Sequence, residues 1–184
     1  MGIIRRYQSV IYGNYRKAGL LYGLAAGALI SGIVLFCLII YYPINTPENY
    51  ITDITLFVAT LFFTYRYRNT LPEKKVYFKE LMLFGLWVGV VAAIVYGIFL
   101  LFYGGVVDTE FANRCLDHFV HGEMNGSASD EEKQATIAVM KTYKLHTWAF
   151  IGAFRTAVMS IITAFTSALI FRTEQNKIKN KEIQ

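Results

Sequence analysis

Charge is what this sequence has least of. Only 17% of its residues are Asp, Glu, Lys or Arg, against 55% hydrophobic and 16% aromatic, and the mean hydropathy is +0.39. Soluble domains carry about 25% charged residues, so a chain that faces water over its whole surface is excluded. Cysteine is scarce too. Cys37 and Cys115 cannot build a disulfide framework, and they form no CxxC. The chain also has no P-loop, no nucleophile elbow, no HExxH and no paired acids within an apolar stretch, so no catalytic class is indicated. A net charge of +5 would point to nucleic acid only if it formed a patch. Here it collects at the ends of apolar blocks, so neither a nucleic-acid partner nor a cofactor is expected.

What the sequence does have is long apolar blocks. A hydrocarbon layer of about 30 Å needs roughly 20 helical residues to cross. Residues 18–42, 81–103 and 148–171 each reach that length. A fourth block, residues 50–65, is shorter and contains Asp53. Thr46 is a candidate N-cap for it, with Pro47 at the first helical position, and Pro72 stops it beyond a basic end. The expectation is an all-α integral membrane protein with four transmembrane helices. The first block is too long for a signal h-region and no A-x-A site follows it, so it reads as a retained span.

Loop charges set the expected orientation. Arg5, Arg6, Arg16 and Lys17 precede the first block; Arg66, Arg68, Lys74, Lys75 and Lys79 lie between the second and third; Arg172, Lys177, Lys179 and Lys181 follow the fourth. The first loop has only Glu48, and the segment from Gly104 to His146 has seven acids against four basic residues. The positive-inside bias puts both termini and the middle loop in the cytoplasm. Tyr41, Tyr42, Tyr50, Tyr103 and Trp148 then fall at the outer interface, and Tyr65 and Tyr67 at the inner one. Residues 1–17 form a cytoplasmic segment in which Ile3, Ile4, Tyr7, Val10 and Ile11 suit an interfacial helix. Residues 18–172 are the membrane domain, and residues 173–184 a cytoplasmic tail. The outer loop, residues 104–147, is expected to fold as a small extracytoplasmic helical hairpin between the third and fourth spans. Its first helix carries Phe111, Cys115, Leu116 and Phe119 at helical spacing. Its turn is Asn125-Gly126-Ser127, and a Ser129/Glu132 capping box opens a second helix reaching Lys144.

Three sets of residues stand out. In lipid, helices associate through close backbone approach. Gly19, Gly23, Gly27 and Ser31 in the first span, and Gly85, Gly89, Ala93 and Gly97 in the third, repeat small residues at intervals of four. The fourth span carries Ala153, Ala157, Ser160, Ala164 and Ala168 on one side. Arg155 lies about 10 Å inside the fourth span, where a cation is costly and marks a pairing or functional position. Asp53 is the acid within a span, so an intramembrane ion pair is expected. Snorkelling to the headgroups and ligand binding are the alternatives. Finally, His118 and His121 with Cys115, flanked by Asp117, Glu123 and His146, are weak candidates for a metal. Their spacing matches no closed zinc module, and polar residues on a solvated helix account for them better, so no metal is expected.

The chain also resembles a family of small bacterial inner-membrane proteins, typical of Bacteroidetes-type bacteria and described only as a domain of unknown function. The resemblance rests on Tyr65-Arg66-Tyr67-Arg68 closing the second span and on Val76-Tyr77-Phe78-Lys79-Glu80 opening the third. It rests also on Ser129-Asp130-Glu131-Glu132 running to Met140. It covers residues 16–172. Arg155 departs from the apolar fourth span that the resemblance implies. A multi-pass inner-membrane location with no known activity follows from the resemblance, as does an association with membrane glycosyltransferases acting on lipid-linked sugars. The expected function is a non-enzymatic accessory or scaffold subunit in contact with membrane lipids and a larger membrane partner or a second copy of itself. A small transporter or channel built as an oligomer is the second reading, and a metal-dependent membrane enzyme the third.

Overall fold

The computed structural model describes residues 14–40, 50–71, 76–122 and 130–172, and among these it is helical with no strand. Four long helices form a bundle: α1 (Tyr15–Ile39), α2 (Tyr50–Thr70), α3 (Phe78–Phe102) and α6 (Leu145–Phe171). Two shorter helices, α4 (Phe111–Gly122) and α5 (Asp130–Met140), lie between α3 and α6 in the chain. Three helices are long and apolar enough to cross a membrane: α1, α6, and α3 together with the turn that extends it to Val107. Threonines, Asp53 and a basic end make α2 more polar than the other three.

Local chemistry explains the ends. Asn14 caps α1 by accepting a hydrogen bond from the Arg16 amide at 3.0 Å. Past Phe102 the chain makes a π-helical turn, with the Asp108 amide donating to the Tyr103 carbonyl at 2.9 Å. This carries the third block several residues past the expected end at residue 103. Gly104 permits it, because a side chain there would run into Leu145 and Phe111. α5 ends at Met140 rather than reaching Lys144. The Thr142 hydroxyl and the Thr142 amide both donate to the Val139 carbonyl, at 2.6 and 3.0 Å, and the chain turns away. The proposed caps at Thr46, Pro47 and Ser129, the stop at Pro72, the turn at residues 125–127 and the N-terminal amphipathic stripe all lie outside the described residues.

The small residues decide how the bundle packs. A Cβ on Gly19, Gly23 or Gly27 would lie 2.6 Å from the Cβ of Trp87, Val91 or Val95 respectively. The order is the same in both helices, so α1 and α3 run parallel. On the other side of α3, Gly85 meets Ala164, Gly89 meets Ser160 and Gly97 meets Ala153. That order is reversed, so α3 and α6 are antiparallel. Ala93 is buried in the same face. The two glycine-rich faces therefore do not pack on each other. The face on α1 receives bulky side chains of α3, and the face on α3 receives the small face of α6, which makes α3 the middle helix.

α2 closes the bundle by packing chiefly on α6 and α1. Phe63 stacks on Tyr22 at 4.9 Å, and Tyr67 stacks on Phe84 at 4.4 Å with the rings 6° from parallel. Contacts of Asp53 with Arg155 and of Tyr65 with Phe171 set α2 and α6 parallel. These directions gather Arg16, Lys17, Arg66, Arg68, Lys79 and Arg172 at one end of the bundle, and Asp108, Glu110, Asp117 and Glu131 towards the other. Two of the aromatic residues near the helix ends face inward: Tyr67 is 0% exposed and Trp148 is 4%.

Candidate functional site

An apolar bundle is the wrong place for unpaired polar groups, since each one left unsatisfied in hydrocarbon costs several kcal/mol. The polar residues therefore mark where the chain does something other than fill space. They concentrate along the seam where α2 meets α6 and α3.

At the acidic end of the seam, Arg155 Nη2 donates to Asp53 Oδ2 at 2.7 Å. Their side chains are 28% and 13% exposed. Asp53 stands in the first turn of α2, where the helix dipole also favours a negative charge. The structure thus brings together the two charges that the sequence singled out. Tyr96 of α3 is buried within Coulomb range of this pair and of Cys115. At the basic end, the Tyr67 hydroxyl donates to Glu80 Oε1 at 2.7 Å, joining α2 to the first turn of α3. Sequence reasoning missed this second contact. Its one signal is a helical phase: Tyr67 continues the buried face of Leu56, Thr60 and Thr64.

Between the two ends the bundle buries hydroxyls. Thr52, Thr60 and Thr64 of α2 and Thr156, Ser160, Thr163 and Ser167 of α6 are all nearly inaccessible. Those on α6 turn back on their own helix: Thr156 to the Gly152 carbonyl at 2.9 Å, Thr163 to Ser160 at 3.1 Å and Ser167 to Ala164 at 3.0 Å. The hydroxyls of Thr60 and Thr64, with Ser31 Oγ and Arg68 Nε, have no hydrogen-bond partner among the described residues.

The outer constellation is a different kind of place. Cys115 is buried beside Phe111 in the core, and burial pushes its thiol up to about 12, with the Arg114 charge pulling the other way. A thiol so held stays protonated and is a poor metal ligand or nucleophile. Arg114 pairs with Asp108 across the start of α4. Asp117 and His146 are exposed. His118 and His121 belong to α4, but their side chains, like Glu123, lie outside the described residues. Among the described residues no group of three or more His, Cys, Asp or Glu side chains is placed to hold a metal.

Helices able to cross a membrane, with a charge pair and hydroxyls turned inward and large apolar side chains turned outward, define a membrane protein. Within that class the chain belongs to the family described as Protein of unknown function (DUF4199), which matches residues 21–173. No curated protein and no solved structure matches it.

Proposed function

We propose that this protein is a four-span inner-membrane protein with both termini in the cytoplasm, acting as a non-enzymatic accessory subunit that packs against a larger membrane partner. Support for the fourth span comes from α2. It lies beside α6 over its apolar length and turns Ile54, Val58, Phe62 and Tyr65 outward as one stripe, each at least half exposed. A stripe of that kind beside a spanning helix suits lipid. The orientation rests on the basic residues gathered at one end of the bundle. Cysteines introduced at Lys79 and Glu131 should label from opposite sides of the inner membrane. Labelling of both from the same side would overturn the topology.

The accessory role is carried by α5. This helix packs mainly on α4 and leaves Glu131, Gln134, Ala135, Ala138 and Val139 exposed on the acidic side of the bundle. An element outside the apolar layer and loosely held by its own chain is suited to a partner. A photo-crosslinker at Val139 in native membranes should yield one discrete adduct that disappears with Ala135→Arg. Adducts only to lipid, or none, would remove the accessory reading. A partner acting on lipid-linked sugars is what the family resemblance implies, and mass spectrometry of the adduct tests it. The transport reading draws separately on the buried hydroxyls of the α2–α6 seam.

A further inference from the structure

Arg66 and Arg68 carry charge that their neighbours do not answer. The ion pairs of the described residues, Arg114 with Asp108 and Arg155 with Asp53, lie towards the other end of the bundle. Among the described residues the acid at their own end is Glu80, and its carboxylate accepts from the Tyr67 hydroxyl at 2.7 Å. Arg16, Lys17, Lys79 and Arg172 add further positive charge to the same end. Arg68 is only partly exposed, and its Nε is enclosed without a hydrogen-bond partner among the described residues. A part-buried cation is costly until something anionic reaches it.

Helical geometry places both arginines beside lipid. Tyr67 turns inward and is buried, whereas Tyr65 is exposed. With 3.6 residues per turn, Arg66 stands about 100° to one side of Tyr65 and Arg68 about 60° to the other. Tyr65 is the foot of the outward stripe of Ile54, Val58 and Phe62, so the stripe runs down between the two arginines. The Arg66 guanidinium turns back over the Phe62 ring, 6.0 Å from its centroid, which holds it against the stripe. From Val58 to Arg68 the axial rise is about 15 Å, one leaflet of a hydrocarbon layer of about 30 Å. On the α6 side Phe171 meets Tyr65 at 5.9 Å, and Arg172 follows it directly.

We infer that the foot of this stripe is a binding site for one anionic phospholipid, with an acyl chain along Val58, Phe62 and Tyr65 and the phosphate between Arg66 and Arg68. An arginine offers its N–H donors as a planar fork that matches two phosphate oxygens. The Tyr65 hydroxyl supplies a further donor at the same place. A zwitterionic headgroup answers less of the charge, because its own ammonium offsets its phosphate. Preference for phosphatidylglycerol over phosphatidylcholine follows. The site rests on α2 facing lipid, as in the four-span reading, and needs no protein partner.

The full chain, stripped of lipid in a neutral detergent and titrated with phosphatidylglycerol under native mass spectrometry, tests it. One phosphatidylglycerol should be retained at concentrations where phosphatidylcholine with the same acyl chains is not. Arg66→Gln with Arg68→Gln should weaken retention at least about tenfold, because two cations next to the headgroup are lost. Arg16→Gln with Lys17→Gln removes the same charge from the same end and should change retention by no more than about twofold. Without lipid, the Arg66/Arg68 variant should melt within about two degrees of the wild type, since neither side chain holds the fold together. Equal retention of phosphatidylcholine, equal losses in the two glutamine pairs, or displacement of the lipid by inorganic phosphate would overturn the site. A marked fall in lipid-free melting temperature would show that the arginines are answered within the fold, and the inference would fail on that ground too. Labelling at Lys79 and Glu131 reads the topology, and the Val139 crosslink reads the partner, so failure here leaves both of those readings standing.

Discussion

Helix α6 packs against two neighbours by opposite means. Towards α3 it presents Ala153, Ser160 and Ala164 to Gly97, Gly89 and Gly85, and the backbones come close enough that a single methyl group would collide. Towards α2 it presents Arg155 to Asp53, and aromatic rings meet where Tyr65 reaches Phe171. Lipid tails are as apolar as leucine, so burying apolar surface between two helices gains little in a membrane. What remains is dispersion at close range, which needs small residues, and charge or hydrogen bonding, which needs polar ones. The α3–α6 contact uses the first and tolerates no added volume. The α2–α6 contact depends on one pair of charges, and it is also where unsatisfied hydroxyls are found.

The largest effect should come from adding bulk to the close interface. Gly89→Leu drives a side chain into Ser160 with no room to move. Little folded protein should survive in detergent. At Gly32 an added methyl group would meet nothing within 4 Å. Gly32→Leu should therefore change the melting temperature by no more than about a degree or two. Equal tolerance at the two positions would erase the distinction between packed and lipid-facing glycines.

Next in size is the charge contact. Removing one partner of a buried pair strands the other at a cost of about 3–5 kcal/mol. Asp53→Asn and Arg155→Gln should each destabilise by about 3 kcal/mol, at the low end of that range because both variants keep hydrogen-bonding groups. The double variant should lose less than the sum, as read from a double-mutant cycle on unfolding in bicelles. Strict additivity would return Arg155 to a snorkelling or ligand-binding role.

A smaller effect is expected at the other end of the same seam. Tyr67→Phe keeps the ring on Phe84 and removes the hydrogen bond to Glu80. Chemical denaturation should register a loss of about 1.5–3 kcal/mol, the range for a hydrogen bond to a charged group. No loss would mean that stacking alone holds α2 to α3.

The smallest effect concerns Cys115, which belongs to neither interface. Its thiol is raised in the folded chain from an ordinary value of 9.0 to about 12, mainly by burial. The folded state therefore holds its proton where the unfolded state releases it. This contribution is fully present below pH about 9 and is lost as pH climbs towards about 12. Cys115→Ala should flatten that alkaline decline, and the native thiol should alkylate slowly at pH about 8. Fast alkylation in folded protein would show the thiol to be accessible.

Periodicity and charge, both properties of the linear chain, were enough for a good deal of this. Runs of about 20 apolar residues can hardly be anything but helices that cross a membrane, and small residues at intervals of four on Gly19 to Gly27 and Gly85 to Gly97 mark close faces wherever their partners lie. Asp53 and Arg155 could be matched from sequence because charges inside apolar blocks are few and each needs an opposite. Which face meets which was a tertiary decision. Nothing in the spacing says that the glycines of α1 take up Trp87, Val91 and Val95 while those of α3 take up Ala164, Ser160 and Ala153. Nor does it say that Tyr67 turns inward to a place against Phe84 and Glu80. Threonine is equally at home facing lipid, its own backbone or a polar seam, so the state of Thr60 and Thr64 is set by the three-dimensional packing of α2 against its neighbours and by nothing local to them.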